Sequence, residues 1–136
     1  RKDYRVFVMV GDGECQEGQV WEAAMAASAF KADNLVAIVD KNGLQANGRI
    51  KDRMDEGSLS AKFMSFGWHV IEINGHDMKE ILKALDEADK IKGAPTAIIA
   101  STVKGKGVSF AENMVGYHNG TLTEERYKQA LTELAD

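Results

Sequence analysis

Arg5 to Gly13 (RVFVMVGDG) and Leu35 to Asn42 (LVAIVDKN) decide how this sequence folds. The first is a continuous apolar run with β-branched residues, stopped by Gly-Asp-Gly. Such a run reads as a strand buried on both faces. The second opens with another apolar run, Leu35 to Val39 (LVAIV), which reads as a second buried strand, and Asn42 follows it. Between them, Gln16 to Lys31 is alanine-rich and places Val20, Ala23, Ala24, Ala27 and Phe30 at helical spacing, so the unit reads strand–helix–strand.

The pattern continues outward. Trp68 to Ile73 (WHVIEI) and Thr96 to Thr102 (TAIIAST) read as two more strands. Ser58 to Phe66 reads as a short helix. Met78 to Ile91 reads as a longer one, with Asp77 as its N-cap and Pro95 beyond its end. A last helix starts at Thr123 with a near capping box, and Tyr127, Ala130, Leu131 and Leu134 form its apolar face. Strands alternating with helices imply an α/β fold, a parallel sheet of at least four strands flanked by helices. Asp40 to Gly57 and Val103 to Gly120 lack periodicity and read as long loops. Both follow strands, so both belong to the carboxyl edge, where open α/β sheets bind ligands.

Composition narrows the classes of function. The chain has 136 residues, 44% hydrophobic and 28% charged, with a formal net charge of −4. There is no basic stripe of the kind nucleic acid requires and no apolar run long enough to span a membrane. The single cysteine, Cys15, excludes an internal disulfide, suits a reducing, cytoplasmic setting and reads as a small packing residue. The chain opens Arg1-Lys2-Asp3-Tyr4 directly before a strand, without an initiator methionine, which predicts that further sequence precedes it.

Asp12 and Asn42 carry the chemistry. Each follows one of two consecutive parallel strands, so both are expected on one sheet edge. Mg2+ takes hard oxygen ligands in octahedral geometry, commonly one or two carboxylates plus phosphate oxygens. An Asp carboxylate and an Asn carbonyl supply such donors, and the backbone carbonyl of Leu44 is placed to curl back as a third. Asp12 is read as a ligand at a strand end and not as a core residue; the alternative on the same residues is a plain strand–turn–helix with Asp12 as the cap. The glycines of Gly11-Asp12-Gly13 allow a sharp turn, and the following helix start favours an anion.

Gly11-Asp12-Gly13 followed by Asn42 resembles the motif of thiamine diphosphate enzymes. With Gly11 to Ala23 (GDGECQEGQVWEA), Asn34 to Gln45 (NLVAIVDKNGLQ), Trp68 to His76 (WHVIEINGH) and Thr102 to Gly107 (TVKGKG), the chain is similar to transketolases over nearly its whole length. The resemblance implies that residues 1–136 are the C-terminal half of a thiamine diphosphate-binding domain, with no second domain. Asp12 and Asn42 match the Mg2+ ligands, with Leu44 giving its backbone oxygen. Gly11, Gly13 and Glu14 match the diphosphate-contacting turn. Glu17 and Glu22 match acidic residues at a dimer interface. His118 matches a catalytic histidine facing the cofactor diphosphate and the substrate. Its neighbours Tyr117 and Asn119 depart from the Trp-His-Gly often found there.

The implied reaction passes a two-carbon ketol unit from a ketose phosphate to an aldose phosphate. The implied partners are sugar phosphates and a pyrimidine-binding region or C-terminal subunit, in a dimer or heterotetramer. Without that region the chain alone is expected to be inactive. Ending at Asp136 fits the first subunit of a split enzyme and also a truncated longer one. A deoxyxylulose-phosphate synthase and a non-catalytic assembly module stay open as alternatives.

The remaining candidates are weighed on their own residues. His69 alternates within a strand and reads as structural. His76 lies in an Asn-Gly-His-Asp turn and reads as a local hydrogen-bonding residue. Lys104 and Lys106 are equally readable as attractors of phosphate or as solvated loop cations. Asp40 and Lys41 read as strand-end surface residues.

Overall fold

The computed structural model describes residues 4–135. Arg1-Lys2-Asp3 and Asp136, on which the expectations about flanking sequence rest, lie outside the described residues. The strands are β1 (Val6–Gly11), β2 (Leu35–Lys41), β3 (Leu44–Gln45), β4 (Gly48–Arg49), β5 (His69–Asn74) and β6 (Thr96–Ser101). The helices are α1 (Gly18–Ala29), α2 (Leu59–Ser65), α3 (Met78–Lys90) and α4 (Glu124–Glu133). β1, β2, β6 and β5 form one all-parallel sheet in that order, and β3 and β4 form a small antiparallel hairpin. The expected α/β architecture is present. Among the described residues, no helix is long and apolar enough to cross a membrane.

Side-chain alternation sorts the core into two layers. On one face Ala37, Val39, Ala97 and Ile99 pack with Ala24 and Ala27 of α1 and with Leu59 and Phe63 of α2. On the other, Val36 and Ile98 meet Ala84 and Ala88 of α3. The first layer holds most of the large rings. Phe63 lies 5.2 Å from both Trp21 and Trp68 by ring centroid. The Trp68 indole N–H donates to the Ala24 carbonyl at 2.9 Å, so a buried polar tip is satisfied. Burying a side chain such as Phe63 or Leu59 contributes about 1.5–3 kcal/mol.

Several local expectations are corrected. β1 is not buried on both faces. It is an edge strand, and Phe7 and Met9 are 52% and 69% exposed. An apolar run reports affinity for burial, and here no described element covers the outer half of the strand. The first helix does not run unbroken from Gln16. Gly13–Gln16 is a 3-10 turn, and Glu17, extended at ψ 129°, separates it from α1. The loop from Asp40 contains the end of β2, the hairpin and a 3-10 turn at Ile50–Asp52. The apolar face of α4 is largely uncovered: Ala130 is buried, whereas Tyr127, Leu131 and Leu134 are exposed.

The segment after β6 is built from successive turns. The Lys104 carbonyl accepts the Asn113 amide at 2.9 Å, and a 3-10 turn forms at Val115–Tyr117. It is tied to α4, because Glu133 accepts both the amide and the hydroxyl of Ser109, and the Arg126 guanidinium lies 4.6 Å from the centre of the Phe110 ring.

Candidate active site at the carboxyl edge of the sheet

Parallel pairing sets Gly11 opposite Asp40, so the residues just after β1 and β2 emerge together at one edge. The Asp12 amide donates to the Asp40 carbonyl at 3.1 Å and prolongs the ladder by one bond. Asp12 and Asn42 therefore share an edge, as expected from the topology. Asp12, however, is only 1% exposed, and the reading of it as a ligand outside the core is corrected. Its Oδ1 accepts the Gly13 amide at 2.9 Å, capping the 3-10 turn. Its Oδ2 accepts the Gly43 amide at 2.5 Å. Gly43 sits at φ +75°, a left-handed conformation that glycine adopts without cost and that turns its amide back toward Asp12.

Burial pushes the Asp12 carboxyl above its ordinary value. The Gly43 and Gly13 amides pull it back down, and Asp40 raises it further. Desolvation therefore works against a charge that the backbone donors favour.

Asn42 is held at both ends of its amide. Oδ1 accepts the Leu44 amide at 3.0 Å, and Nδ2 donates to Asp40 Oδ2 at 3.2 Å. Asp40 Oδ1 accepts the Thr102 hydroxyl. Asp40 is thus a half-buried acceptor joining the ends of β2 and β6, and the reading of it as a surface residue is corrected. Leu44 is buried within the hairpin. Gly13 is demanded by that hairpin, since a Cβ there would come within 3.0 Å of Gln45 Cβ. A Cβ at Gly11 would meet nothing within 4 Å. Glu14 is exposed and accepts the Gly11 amide at 3.2 Å.

Two cavities flank this edge. One, of about 410 Å3, is lined by Asp12, Asn42, Gly43, Lys41 and Glu56. The other, of about 570 Å3, lies on the α3 side and is lined by Asp40, His76, Thr102, Lys104 and Lys106. Glu56 does not stand out in the sequence, where it is one acid among several in a polar loop. Its Oε2 is buried without a hydrogen-bond partner. Burial, then Asp12, pushes its carboxyl up.

The other candidates fall in known places. His118 is exposed after the Val115–Tyr117 turn and does not line either cavity. Glu17 and Glu22 are exposed at the start of α1. His69 Nε2 pairs with Glu87 at 2.9 Å, the structural role its alternation predicts. His76 Nε2 accepts the Val103 amide at 2.7 Å, and Asp77 caps α3. Lys106 faces Glu112 at 3.5 Å. Cys15 is buried and its thiol is pushed up to about 12, first by burial, which suits packing and not nucleophilic chemistry.

Among the described residues, no three His, Cys, Asp or Glu side chains group closely enough to hold a metal. The donors at this edge that the sequence singles out are the Asp12 carboxylate, the Asn42 amide and the Leu44 backbone carbonyl, with the Glu56 carboxylate lining the same cavity. That set is too sparse for a closed zinc or calcium cage. It suits a hard cation that draws its remaining oxygens from phosphate and water.

Comparison with known proteins gives a consistent setting. The family profile for "Transketolase, thiamine diphosphate binding domain" matches residues 2–135. The chain is 40% identical over its whole length to 48% of an apulose-4-phosphate transketolase subunit from Phocaeicola vulgatus. It is 39% identical, over 98% of its length, to 21% of human transketolase. A crystal structure of transketolase from Campylobacter jejuni superposes with a TM-score of 0.90 at 36% identity, covering 96% of this chain and 20% of that one. The chain thus spans about half of the subunit-type relative and about a fifth of the longer ones.

Proposed function

The chain belongs to the thiamine diphosphate-binding domain family of transketolases, and from that premise we propose that it anchors thiamine diphosphate through Mg2+ held by Asp12, Asn42 and the backbone carbonyl of Leu44. The observation that carries this reading is a carboxylate 1% exposed, beside an open cavity that it shares with Asn42. The side-chain oxygens of Asp12 and the Oδ1 of Asn42 each already accept one backbone amide, and a carboxylate or amide oxygen keeps a second lone pair for a cation. A divalent cation here offsets the cost of a buried charge, and the neighbouring Glu56 Oε2 is buried without a hydrogen-bond partner.

Thiamine diphosphate, when bound, supplies a nucleophilic thiazolium carbon able to cleave and re-form a carbon–carbon bond beside a carbonyl. The chain's own residues do the positioning. Gly13 allows the close turn after β1, the open space at Gly11 leaves room for a diphosphate, and Glu14 holds the Gly11 amide. His118 would donate to the anionic oxygens of the cofactor or substrate, or pass a proton to the substrate, once its loop closes over the site. The reaction is ketol transfer between sugar phosphates, in a cytoplasmic setting.

Residues 1–136 form part of one cofactor-binding domain, and a pyrimidine-binding region or second subunit completes the site. The names of the half-length relatives, which call them subunits, support that arrangement. Glu17 and Glu22, exposed beside the 3-10 turn, face the dimer partner. The test is calorimetric titration of the full-length protein carrying this domain with thiamine diphosphate, with and without Mg2+. Binding that needs Mg2+ and is lost in Asp12→Asn supports the reading. Binding independent of Mg2+ overturns it.

A further inference from the structure

We propose that Asp40 is a positioning residue that sets the amide of Asn42 for the metal, and that Thr102 sets Asp40. The metal site and the base of the Val103–Gly120 loop then form one hydrogen-bonded unit. The inference rests on the assignment of Asn42 as a metal ligand.

An asparagine side chain has two different ends. Its carbonyl oxygen can ligate a cation, whereas its NH2 group repels one. Asn42 serves as a ligand only if its orientation is fixed. A carboxylate can only accept, so the contact of Asn42 Nδ2 with Asp40 Oδ2 at 3.2 Å commits the NH2 end to Asp40. The Leu44 amide, 3.0 Å from Asn42 Oδ1, requires an oxygen at the other end. The two contacts agree, and together they leave the carbonyl oxygen free to offer its second lone pair.

Asp40 is itself held. Its Oδ1 accepts the Thr102 hydroxyl, and the Thr102 amide donates to the Lys41 carbonyl at 3.1 Å. Thr102 follows β6 directly and lines the larger cavity with Lys104 and Lys106. Asp40 and Thr102 both line that cavity, whereas Asn42 lines the smaller one, so the Asp40–Asn42 contact links the two. Groups that orient a metal ligand commonly change metal affinity by about 10–100-fold when removed.

The experiment measures the Kd for Mg2+ by calorimetry, at saturating thiamine diphosphate, in the full-length protein carrying this domain. Thermal unfolding without metal is recorded alongside. Asp40→Ala is expected to raise the Kd by about 10–100-fold. Asp40→Asn, which keeps an acceptor oxygen for Asn42, loses less. Thr102→Val raises the Kd and Thr102→Ser restores it, while the melting temperatures of those two variants agree. Thr102→Val and Thr102→Ser decide the matter if Asp40→Ala does not fold. An unsubstituted protein that binds Mg2+ normally, with Asp40→Ala and Thr102→Val unchanged, overturns this inference and leaves the metal site standing. An unsubstituted protein with no Mg2+-dependent binding overturns both.

Discussion

Asp12 accepts the amide of Gly43, 31 residues further along the chain, at 2.5 Å. This bond ties the turn after β1 to the turn after β2 independently of the sheet ladder, so the proposed ligand is also a structural staple.

Asp12→Ala is therefore expected to lose stability as well as cofactor. Removing the carboxylate leaves the Gly13 and Gly43 amides without an acceptor, at about 1–3 kcal/mol for each donor that stays buried. Asp12→Asn keeps an acceptor and drops the charge, so it should lose Mg2+-dependent binding at a smaller cost to stability. Urea unfolding of the two variants checks this, and an Asp12→Ala variant as stable as the unsubstituted protein contradicts it.

Glu56 gives a pH dependence. Its carboxyl is raised from an ordinary 4.5, first by burial and then by Asp12. Between the unfolded and folded values the folded carboxyl keeps a proton that the unfolded one has lost. Its contribution is fully present below the unfolded value and is lost as pH rises through the folded one. Glu56→Gln removes this slope and should flatten the stability profile on the neutral side when no metal is bound. Chemical unfolding across mildly acidic to neutral pH tests it, and identical profiles for the two proteins would refute it.

His118→Ala should lower kcat in the full-length protein while leaving the Kd for Mg2+ unchanged. Asp12 and Asn42 hold the metal in the proposed site, and His118 lines neither cavity. Unchanged turnover would reduce His118 to an exposed loop residue.

Gly75→Ala should disturb Thr102 from below. A Cβ there would lie 2.5 Å from Thr102 Cγ2 and 3.2 Å from the Ser101 carbonyl, closer than packed atoms tolerate. Overpacking of this kind costs about 1–3 kcal/mol. A lowered melting temperature together with weaker Mg2+ binding is the expected pair of results. A variant that melts normally would show that the site relaxes freely.

Much of this architecture is legible in the sequence because it depends on local pattern. Four apolar runs correspond to four parallel strands, and the shared edge of Asp12 and Asn42 follows from two consecutive strands pairing side by side. What escaped depends on neighbours that the pattern does not encode. RVFVMV reads alike whether both faces are covered or bare. Asp40 looks solvated until Thr102, 62 residues away, supplies a donor. Glu56 acquires its character only when the turn after Ile50–Asp52 brings it to the cavity beside Asp12. The hairpin escaped because two-residue strands carry no readable alternation.

The position of β6 in the strand order bears on when the molecule can fold. Among the described residues Thr96–Ser101 is the sheet strand made after the other three, yet it lies between β2 and β5 and joins them. While a ribosome is still making the chain, β1 and β2 can pair across α1. The layer in which Val36 meets Ile98, Ala84 and Ala88 has to wait for residue 98. Pairing Val36 with Thr96 closes a loop of some sixty residues, a slow, entropically costly step. Synthesis halted before Thr96 would therefore leave β2 and β5 without the strand that pairs with both and the Val36 layer open, and a nascent chain of that length is a natural client for chaperones.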